Sequence, residues 1–372
     1  MQQLAERTGA VLRLDLQAVR HNYRLLQNRL GTSRCGAAVK ADAYGLGAEQ
    51  VANVLYQEGC RHFFVAHLEE AIALRPSLPS DAHLIVMHGS PVGCEAEFIA
   101  HGCMPVLNSL QQIQDWSALA QRQQQRLPAI VQFDTGMARM GLSAQEVEAL
   151  QNDPSLYAGI DVQYVMSHLA CAEDQHNPMN RQQLERFQAL RTLFPGSKAT
   201  LANSSGIFLG SDFHFDLARP GAALYGVAPV AGQENPLRAV AHLQGRLIQT
   251  RDIPAGTGVG YGSTWRSKEA SRIATVAVGY ADGWLRSLSN RGVAHIAGFE
   301  APMVGNVSMD TITLDVTHIA PTYLQPGTFV DLISATNTVD DVATRANTIG
   351  YEILTSLGTR YYREYSDECP AT

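Results

Sequence analysis

The 372-residue chain has no long apolar segment and no dense block of basic residues. No stretch approaches the length that crosses a bilayer, and the polar N-terminus, MQQLAER, lacks the apolar core of a secretory signal. The 28 Lys and Arg are spread along the chain and are outnumbered by 35 Asp and Glu. This balance argues against nucleic acid or an anionic membrane as a partner. We therefore predict a cytoplasmic protein.

Cysteine pairs at metal-binding spacing are missing as well. The six cysteines, at positions 35, 60, 94, 103, 171 and 369, are scattered and include no CxxC pair. This pattern indicates neither a zinc site nor a disulfide framework, and it suits a reducing compartment. We predict no bound metal.

The first two thirds of the chain alternate short apolar runs with helical patterns. The runs recur roughly every 20 to 40 residues, the interval that one βα unit needs. The predicted strands are 36–39, 63–66, 84–87, 105–107, 129–133, 162–166, 199–202 and 222–225. Amphipathic helices are predicted between them, among others at 69–74, 110–119, 144–150 and 181–194. Eight such units predict an N-terminal (β/α)8 barrel, to which we assign residues 11–236.

The pattern changes after about residue 236. Predicted strands at 244–253, 273–279, 293–296, 311–316 and 328–333 are separated by Gly, Asn and Asp turns, and a single weak helical stretch follows at 338–349. We predict a mostly-β C-terminal domain over residues 237–372. The first N-terminal strand is a candidate to pack with it. The fold class is therefore α/β plus β.

Lys40 ends the first predicted barrel strand, in the segment AVKADAYGLG at 38–47. Barrel enzymes place catalytic groups at the C-terminal ends of their strands. An amine there loses solvation, so its pKa falls and it becomes nucleophilic enough to hold a carbonyl as an imine. That is the chemistry of pyridoxal 5'-phosphate (PLP). A lysine that snorkels to solvent at a strand edge is the alternative explanation.

A phosphate site is predicted where the last two barrel strands end. Asn203 and Ser204 begin the segment NSSG after the seventh strand, and Arg219 begins RPGA near the eighth. Small residues and hydroxyls there expose backbone N–H groups, and barrels commonly bind phosphate in this region. A plain turn with a helix cap remains the alternative for NSSG.

Two further segments follow the fifth and sixth strands. Arg139, in DTGMARMG at 134–141, has the two-pronged guanidinium that grips a carboxylate or a phenolic oxygen, and a simple salt bridge is the alternative. His168 is either an acid–base group or a residue that holds an arginine or a water, and we favour the second role.

Three glycine-rich turns in the β-rich part are further candidate site segments. Tyr261 lies in GVGYGSTW at 258–265, where glycines allow the phenol to point outward. Such a phenol is either ordinary packing or a base whose pKa is lowered by cationic neighbours. The segments 279–284 and 305–310, which contain Tyr280 and Met309, have small residues that expose main-chain donors to a carboxylate.

Taken together, these segments resemble the alanine racemases, the fold-type III PLP enzymes. The resemblance runs from about residue 11 to 365, with eight matching segments in the same order. It implies that Lys40 would hold PLP and act as one of two bases, and that Tyr261 of a second subunit would be the other. Arg139 would bind the substrate carboxylate, with the backbone N–H of the second subunit's Met309 and with Tyr280.

The resemblance also implies a set of cofactor-binding residues. Arg219 would contact the pyridine nitrogen, with His168 buttressing it, and because a guanidinium only donates, the ring nitrogen would stay unprotonated. The implied set is Lys40, Tyr44, Arg139, His168, Asn203, Ser204, Arg219, Gly221 and Ala222.

The implied activity is two-base racemisation of L- and D-alanine by a PLP-dependent homodimer with shared active sites, supplying D-alanine for peptidoglycan. A racemase of broader specificity, acting on serine, lysine or ornithine, is the alternative. A fold-type III decarboxylase is disfavoured because its cofactor nitrogen should face an acid, whereas Arg219 is a base. The length of the chain argues against a barrel-only PLP carrier.

Two positions depart from the family pattern. Many members carry a carbamylated lysine two residues before the DTG motif, and here that position is Gln132. We predict either no carbamate there or a small anion such as chloride. A pocket-gating tyrosine of some members falls at about Thr359, where a smaller side chain would widen the mouth of the site.

Overall fold

The computed structural model describes residues 7–367. The chain opens with β1 (Ala10–Asp15) and α1 (Leu16–Leu30). Asp15 sets the boundary between them, because its carboxylate accepts the N–H of Ala18 at 2.8 Å and so caps the helix. The sixth cysteine, Cys369, lies outside the described residues.

A closed barrel of eight parallel strands follows, which confirms the predicted fold. Its strand segments are β2 (Arg34–Cys35), β3 (Ala37–Ala38), β4 (His62–Val65), β5 (His83–Val86), β6 (Cys103–Leu107), β7 (Leu127–Gln132), β8 (Ile160–Met166), β9 (Lys198–Thr200) and β10 (Leu217–Ala218). The first strand is split into β2 and β3, which flank Gly36. Strands β3 to β9 pair in chain order, and β10 pairs with β2. The N–H of Asp216 donates to the carbonyl of Ala199 at 3.0 Å and joins β10 to β9.

The predicted eighth strand, 222–225, is wrong. Ala222–Tyr225 forms a short 3-10 helix, and the strand is β10, directly before Arg219. The four residues of that helix are all buried, which explains why the run looked like a strand. Pro220 has no N–H to offer to a strand ladder, so pairing stops there. Arg219 therefore lies at the C-terminal end of a barrel strand.

The barrel interior is filled by side chains from its strands. Alternate residues point inward, as the two-residue period of a strand requires. The inner cluster consists of Ala38, Phe64, Ile85, Val106, Ile130, Tyr164, Met166 and Leu217. The barrel is thus a packed core, and chemistry is confined to its rim.

Helices surround the barrel at the positions that the apolar periodicity predicts. Ser109 and Ser143 cap two of them, each accepting a backbone N–H from three residues further on at 3.3 Å. Besides α1, these helices are α2 (Ala48–Gln57), α3 (Leu68–Leu74), α4 (Glu95–Ala100), α5 (Leu110–Gln123), α6 (Ala144–Asn152) and α7 (Pro178–Leu190).

The C-terminal part is mostly strand, as predicted. Its strands are β11 (Ala241–Ile253), β12 (Gly258–Val259), β13 (Trp265–Arg266), β14 (Ser271–Val276), β15 (Val293–Ile296), β16 (Phe299–Pro302), β17 (Ile312–Asp315), β18 (Phe329–Ile333) and β19 (Tyr362–Ser366). The main sheet has the order β16-β15-β18-β11-β1-β19, with β14 and β17 added beside β11. β1 thus lies between two C-terminal strands, antiparallel to β11 and parallel to β19.

Two helices of the C-terminal part replace the single one that the sequence predicts. α8 (Val339–Ala346) ends at Asn347, whose φ of 59° is left-handed, and α9 (Gly350–Ser356) follows. α9 lies against the turn that carries Lys40: a Cβ on Gly45 would be 2.7 Å from the carbonyl oxygen of Leu354. None of the helices in residues 7–367 combines the length and apolar character that a bilayer crossing requires.

Candidate active site

Lys40 begins a left-handed helical turn at the C-terminal end of the first barrel strand. The four residues from Ala41 to Tyr44 have φ between 51° and 58°. Left-handed backbone is costly for residues that carry a Cβ, and here it holds over a full turn. The turn is closed by the N–H of Gly47, which donates to the carbonyl of Asp42 at 2.9 Å. Lys40 is thereby fixed at the barrel mouth.

The surroundings of Lys40 lower its pKa. Burial is the main cause, and the positive charges of Arg139 and Arg219 add to it, whereas Glu70 acts in the opposite direction. A lower pKa leaves a larger fraction of the amine unprotonated at neutral pH. The structure thus brings Lys40, Arg139 and Arg219 together, and the lysine has the electrostatic character of a nucleophilic amine.

A small polar cradle lies beside Lys40. The hydroxyl of Ser204 accepts the backbone N–H groups of Gly221 and Ala223 at 3.0 and 3.1 Å. The Tyr44 hydroxyl faces Gly221 so closely that a Cβ there would lie 2.4 Å from it. The ring of Tyr44 is held by Tyr225, 4.9 Å away between centroids. The hydroxyls of Tyr44 and Ser204 and the backbone of Gly221 therefore lie next to one another.

Arg219 is a buried cation, only 4% exposed, without a carboxylate partner among residues 7–367. Its guanidinium donates to the hydroxyl of Thr200 at 2.7 Å, to the carbonyl of Ser167 at 2.8 Å and to Nδ1 of His168 at 3.2 Å. Burial lowers the pKa of Arg219 to about 9, so it stays protonated at neutral pH. These contacts restrict the orientation of the guanidinium.

His168 is neutral in this arrangement. Burial, followed by the charges of Arg219 and Arg139, lowers its pKa well below 6.5. A neutral ring leaves Nδ1 free to accept a hydrogen bond from Arg219. His168 therefore acts on Arg219 rather than as a proton donor, in keeping with the role that we favoured from the sequence.

Arg139 is exposed on the loop after β7. Within residues 7–367 its guanidinium takes part in no hydrogen bond or salt bridge. The loop itself is held in place, because the carboxylate of Asp134 accepts the N–H groups of Gly136, Met137 and Ala138 at 2.8 to 3.1 Å. The amide of Gln132 donates to the carbonyl of Met140 at 3.4 Å instead of orienting Arg139.

Two supporting residues are not evident from the sequence. Gln183, fully buried on α7, joins the His168 and Arg139 loops by donating to the carbonyl of His168 at 2.9 Å and to the hydroxyl of Thr135 at 3.1 Å. Glu70 on α3 accepts the N–H of Ala41 at 2.6 Å. A polar side chain on the apolar face of α7 was the available signal for Gln183.

Three predicted residues lie on exposed loops of the C-terminal part. Tyr261, Met309 and Tyr280 are 74%, 53% and 44% exposed. Their loops are tied to one another: Asn306 donates to the carbonyl of Tyr261 at 2.8 Å, and the N–H of Tyr280 donates to the carbonyl of Ser308 at 3.0 Å. No hydrogen bond in residues 7–367 links these three to the residues around Lys40. They form a second, outward-facing group.

The remaining predicted residues support the cradle. Asn203 accepts the N–H of Gly206 at 2.9 Å and so caps the 3-10 helix that follows Ser204. Ala222 is buried at the start of the 3-10 helix after Gly221. Among the described residues no three His, Cys, Asp or Glu side chains meet in a way that would hold a metal ion.

Comparison with known proteins covers nearly the whole chain. The family model of the alanine racemase N-terminal domain matches residues 14–229, and that of the C-terminal domain matches residues 240–365. A catabolic alanine racemase of Mesorhizobium japonicum is 48% identical over 357 residues, which cover 96% of this chain and 93% of the relative. An alanine racemase of Brucella abortus is 48% identical over 370 residues, with the same coverage.

Solved structures agree with this result. The alanine racemase of Bartonella henselae, which carries covalently bound pyridoxal phosphate, superposes with a TM-score of 0.93 at 43% identity and covers 96% of this chain and 100% of its own. The alanine racemase of Streptomyces coelicolor has a TM-score of 0.90 at 30% identity and covers 98% of this chain and 99% of its own. With its barrel, its lysine turn and both domain models matched, the chain belongs to the alanine racemase family.

Proposed function

We propose that this protein is a PLP-dependent racemase that interconverts L- and D-alanine, with Lys40 and Tyr261 as its two bases. The observation that carries the proposal is the group of Lys40, Arg219 and His168 at the barrel mouth, in which the lysine pKa is lowered and the buried arginine has no acidic partner among the described residues. The Bartonella henselae relative, which binds PLP covalently, supports the choice of cofactor.

The residues present suit PLP. The hydroxyls of Tyr44 and Ser204 both lie close to Gly221, where a Cβ would collide with the Tyr44 hydroxyl, and hydroxyls of this kind can donate to a phosphate. Tyr44, Ser204 and the main chain at Gly221 and Ala222 would hold that phosphate. Arg219 would meet the pyridine nitrogen as a hydrogen-bond donor, since it remains protonated.

Bound PLP supplies a carbonyl that takes an amine and a conjugated ring that makes the Cα–H of the attached amino acid acidic. The chain then has to move one proton between the two faces of that carbon. The Lys40 amine would hold the proton on one face, helped by its lowered pKa. Arg139, whose guanidinium has no other partner in residues 7–367, would bind the substrate carboxylate and orient Cα.

The second base comes from another subunit in our proposal. Tyr261 is exposed and shares no hydrogen bond, within residues 7–367, with the cluster around Lys40, which supports a site completed by the tyrosine of a partner. The outward-facing group of Tyr261, Tyr280 and Met309 exposes large side chains on loops tied to one another, which is typical of a surface that a partner covers. A homodimer with shared active sites follows, in which the backbone N–H of the partner's Met309 would help to bind the carboxylate.

Gln132 occupies the position of the carbamylated lysine but does not hydrogen-bond to Arg139 in residues 7–367. A neutral amide cannot supply the charge of a carbamylated lysine, and in the structure it bonds to Met140. We infer that there is no carbamate beside Arg139, or that a small anion such as chloride takes its place.

The cellular role that we propose is the supply of D-alanine for peptidoglycan in the cytoplasm. The catabolic alanine racemase of Mesorhizobium japonicum points to the breakdown of D-alanine as the other use of the same reaction. A broader racemase is the second candidate activity, because the exposed Thr359 places a small side chain where the resemblance puts a gating tyrosine.

The test of substrate choice is a panel of L-amino acids incubated with enzyme and PLP and analysed by chiral separation. We expect alanine to be converted at least about tenfold faster than serine, lysine or ornithine, the discrimination that a difference of about 1.4 kcal/mol in transition-state binding gives. Equal rates for alanine and ornithine would replace our proposal by the broad-specificity activity.

The two-base assignment is tested by single variants. Lys40→Ala should lose the absorbance of the cofactor–lysine link and nearly all turnover. Tyr261→Phe should keep that absorbance and alter isotope exchange unequally in the two directions, because only one face loses its base. Wild-type rates in both directions for Tyr261→Phe would contradict the assignment.

A further inference from the structure

We propose that Glu70 is a positioning residue for Lys40, holding the left-handed turn in the geometry that presents the amine. This inference deepens the proposed function and rests on the role proposed for Lys40. It starts from a carboxylate on α3 that no part of the mechanism above uses.

Glu70 joins the ends of two neighbouring barrel strands. One carboxylate oxygen accepts the N–H of Ala41 at 2.6 Å, and the other accepts the N–H groups of Ala66 at 2.6 Å and His67 at 3.1 Å. Ala41 is the residue directly after Lys40, and Ala66 directly follows β4. The turn that carries the lysine is therefore fastened to the next strand of the barrel by a single side chain.

The turn needs this restraint because its conformation is unfavourable. Each residue from Ala41 to Tyr44 carries a Cβ in left-handed backbone, where the Cβ lies too close to the following carbonyl oxygen. Asp42 holds the far end of the turn by accepting the N–H of Ala48 at 2.7 Å. Glu70 provides the corresponding bond at the near end, where the lysine is attached.

The carboxylate of Glu70 also partly offsets the positive charges of the arginines near Lys40. Burial and the charges of Arg139 and Arg219 lower the pKa of Lys40, and Glu70 opposes them. A carboxylate with two oxygens can accept from both strand ends at once, whereas an amide has only one acceptor atom. The geometry thus requires Glu at this position, and Gln would leave one strand end unpaired.

The neighbouring Glu69 provides a matched control. It lies on the same helix, is exposed and accepts no hydrogen bond in residues 7–367. The experiment compares Glu70→Gln and Glu69→Gln as holoenzymes. It measures hydrogen–deuterium exchange of peptides covering residues 40–47 and 66–74, together with kcat and KM for alanine.

For Glu70→Gln we expect exchange in residues 40–47 to rise about tenfold, as the loss of a charge-assisted hydrogen bond predicts. We also expect kcat to fall about tenfold with KM within about twofold of the wild type, because Arg139 is untouched. Glu69→Gln should match the wild type in every measurement.

Two results would overturn the proposal. Unchanged exchange in residues 40–47 would show that Glu70 does not hold the turn, and faster exchange confined to 66–74 would reduce it to a cap of α3. Failure of the underlying function is distinguishable, since it would appear as full turnover in Lys40→Ala whatever Glu70→Gln does to exchange.

Discussion

The four left-handed residues after Lys40 show that the backbone conformation of the site is not set by the intrinsic preferences of its residues. Glycines at 45 and 47 predict a turn at this point of the chain. Nothing in Ala41 or Ala43 predicts left-handed backbone, because alanine prefers right-handed helix. Tertiary contacts impose it, with Glu70 at one end and α9 against Gly45 at the other.

The sequence predicted the candidate catalytic and cofactor-binding residues better than the residues that position them. Lys40, His168 and Arg219 occur in recognisable segments, and the structure places them in one cluster. Glu70 lies inside an amphipathic helix, where a polar residue is usually on the surface, and the place of Gln183 on the apolar face of α7 does not say which loop it bonds to. Their importance depends on which loop faces the helix, and that is a property of the folded barrel.

Gly221→Ala is expected to weaken cofactor binding. The backbone φ of −126° lies outside the left-handed region that favours glycine, so the effect comes from the new methyl group, which would lie 2.4 Å from the Tyr44 hydroxyl. Overpacking of this kind costs about 1–3 kcal/mol, so the Kd for PLP should rise between about 5-fold and about 150-fold. Equilibrium dialysis of PLP measures this Kd.

Tyr44→Phe is the control for this prediction. It removes the clashing oxygen, so its effect on the Kd and that of Gly221→Ala should not add. Additive effects would point to another cause.

At the scale of elements, the barrel is closed by its shortest strands. β2 and β3 are separated by Gly36, where a Cβ would lie 3.0 Å from the carbonyl of His62 and 3.2 Å from that of Ala218. Neighbouring backbones approach closely there, and glycine allows it. The two-residue β10 is too short to give an alternating pattern, which is why the longer apolar run at 222–225 was the stronger strand candidate in the sequence.

The position of His62 on a paired strand also makes the free energy of unfolding depend on pH in the acid range. His62 on β4 lies opposite His83 on β5 and within 3.2 Å of the Tyr164 hydroxyl on β8. Burial, followed by the charges of His83, Arg34 and Lys198, lowers the pKa of His62 to about 3. The unfolded chain, with an ordinary histidine pKa near 6.5, binds the proton first. The free energy of unfolding should therefore fall as the pH drops below about 6.5.

His62→Gln should remove that part of the acid sensitivity. One such histidine changes the free energy of unfolding by about 1.4 kcal/mol per pH unit between its unfolded pKa of about 6.5 and its folded pKa. Urea unfolding from about pH 7.5 to about pH 5, at fixed protein concentration, measures the slope for the variant and the wild type. His176→Gln, at an exposed position, is the control. Equal slopes for His62→Gln and the wild type would show that His62 takes up its proton equally well in both states.

At the scale of the whole molecule, the predicted site residues form two groups that no hydrogen bond in residues 7–367 links directly. The barrel mouth contains Lys40, Arg139 and Arg219, and the C-terminal part presents Tyr261 and Met309 outward. Segment order along the chain predicted both groups. It could not predict which loops bond to one another, because contacts between loops depend on how the C-terminal sheet, with β1 inside it, sits on the barrel.

Combining two impaired variants should restore activity if the site is shared between subunits. In a dimer of one Lys40→Ala chain and one Tyr261→Phe chain, one site contains Lys40 from the second chain and Tyr261 from the first, and the other site lacks both. Co-expression with two different tags and tandem purification isolates this mixed dimer, and about half of wild-type activity is expected from its one intact site by symmetry. Each variant purified alone is the control. Activity no higher than that of the better single variant would mean that each chain supplies both bases to its own site.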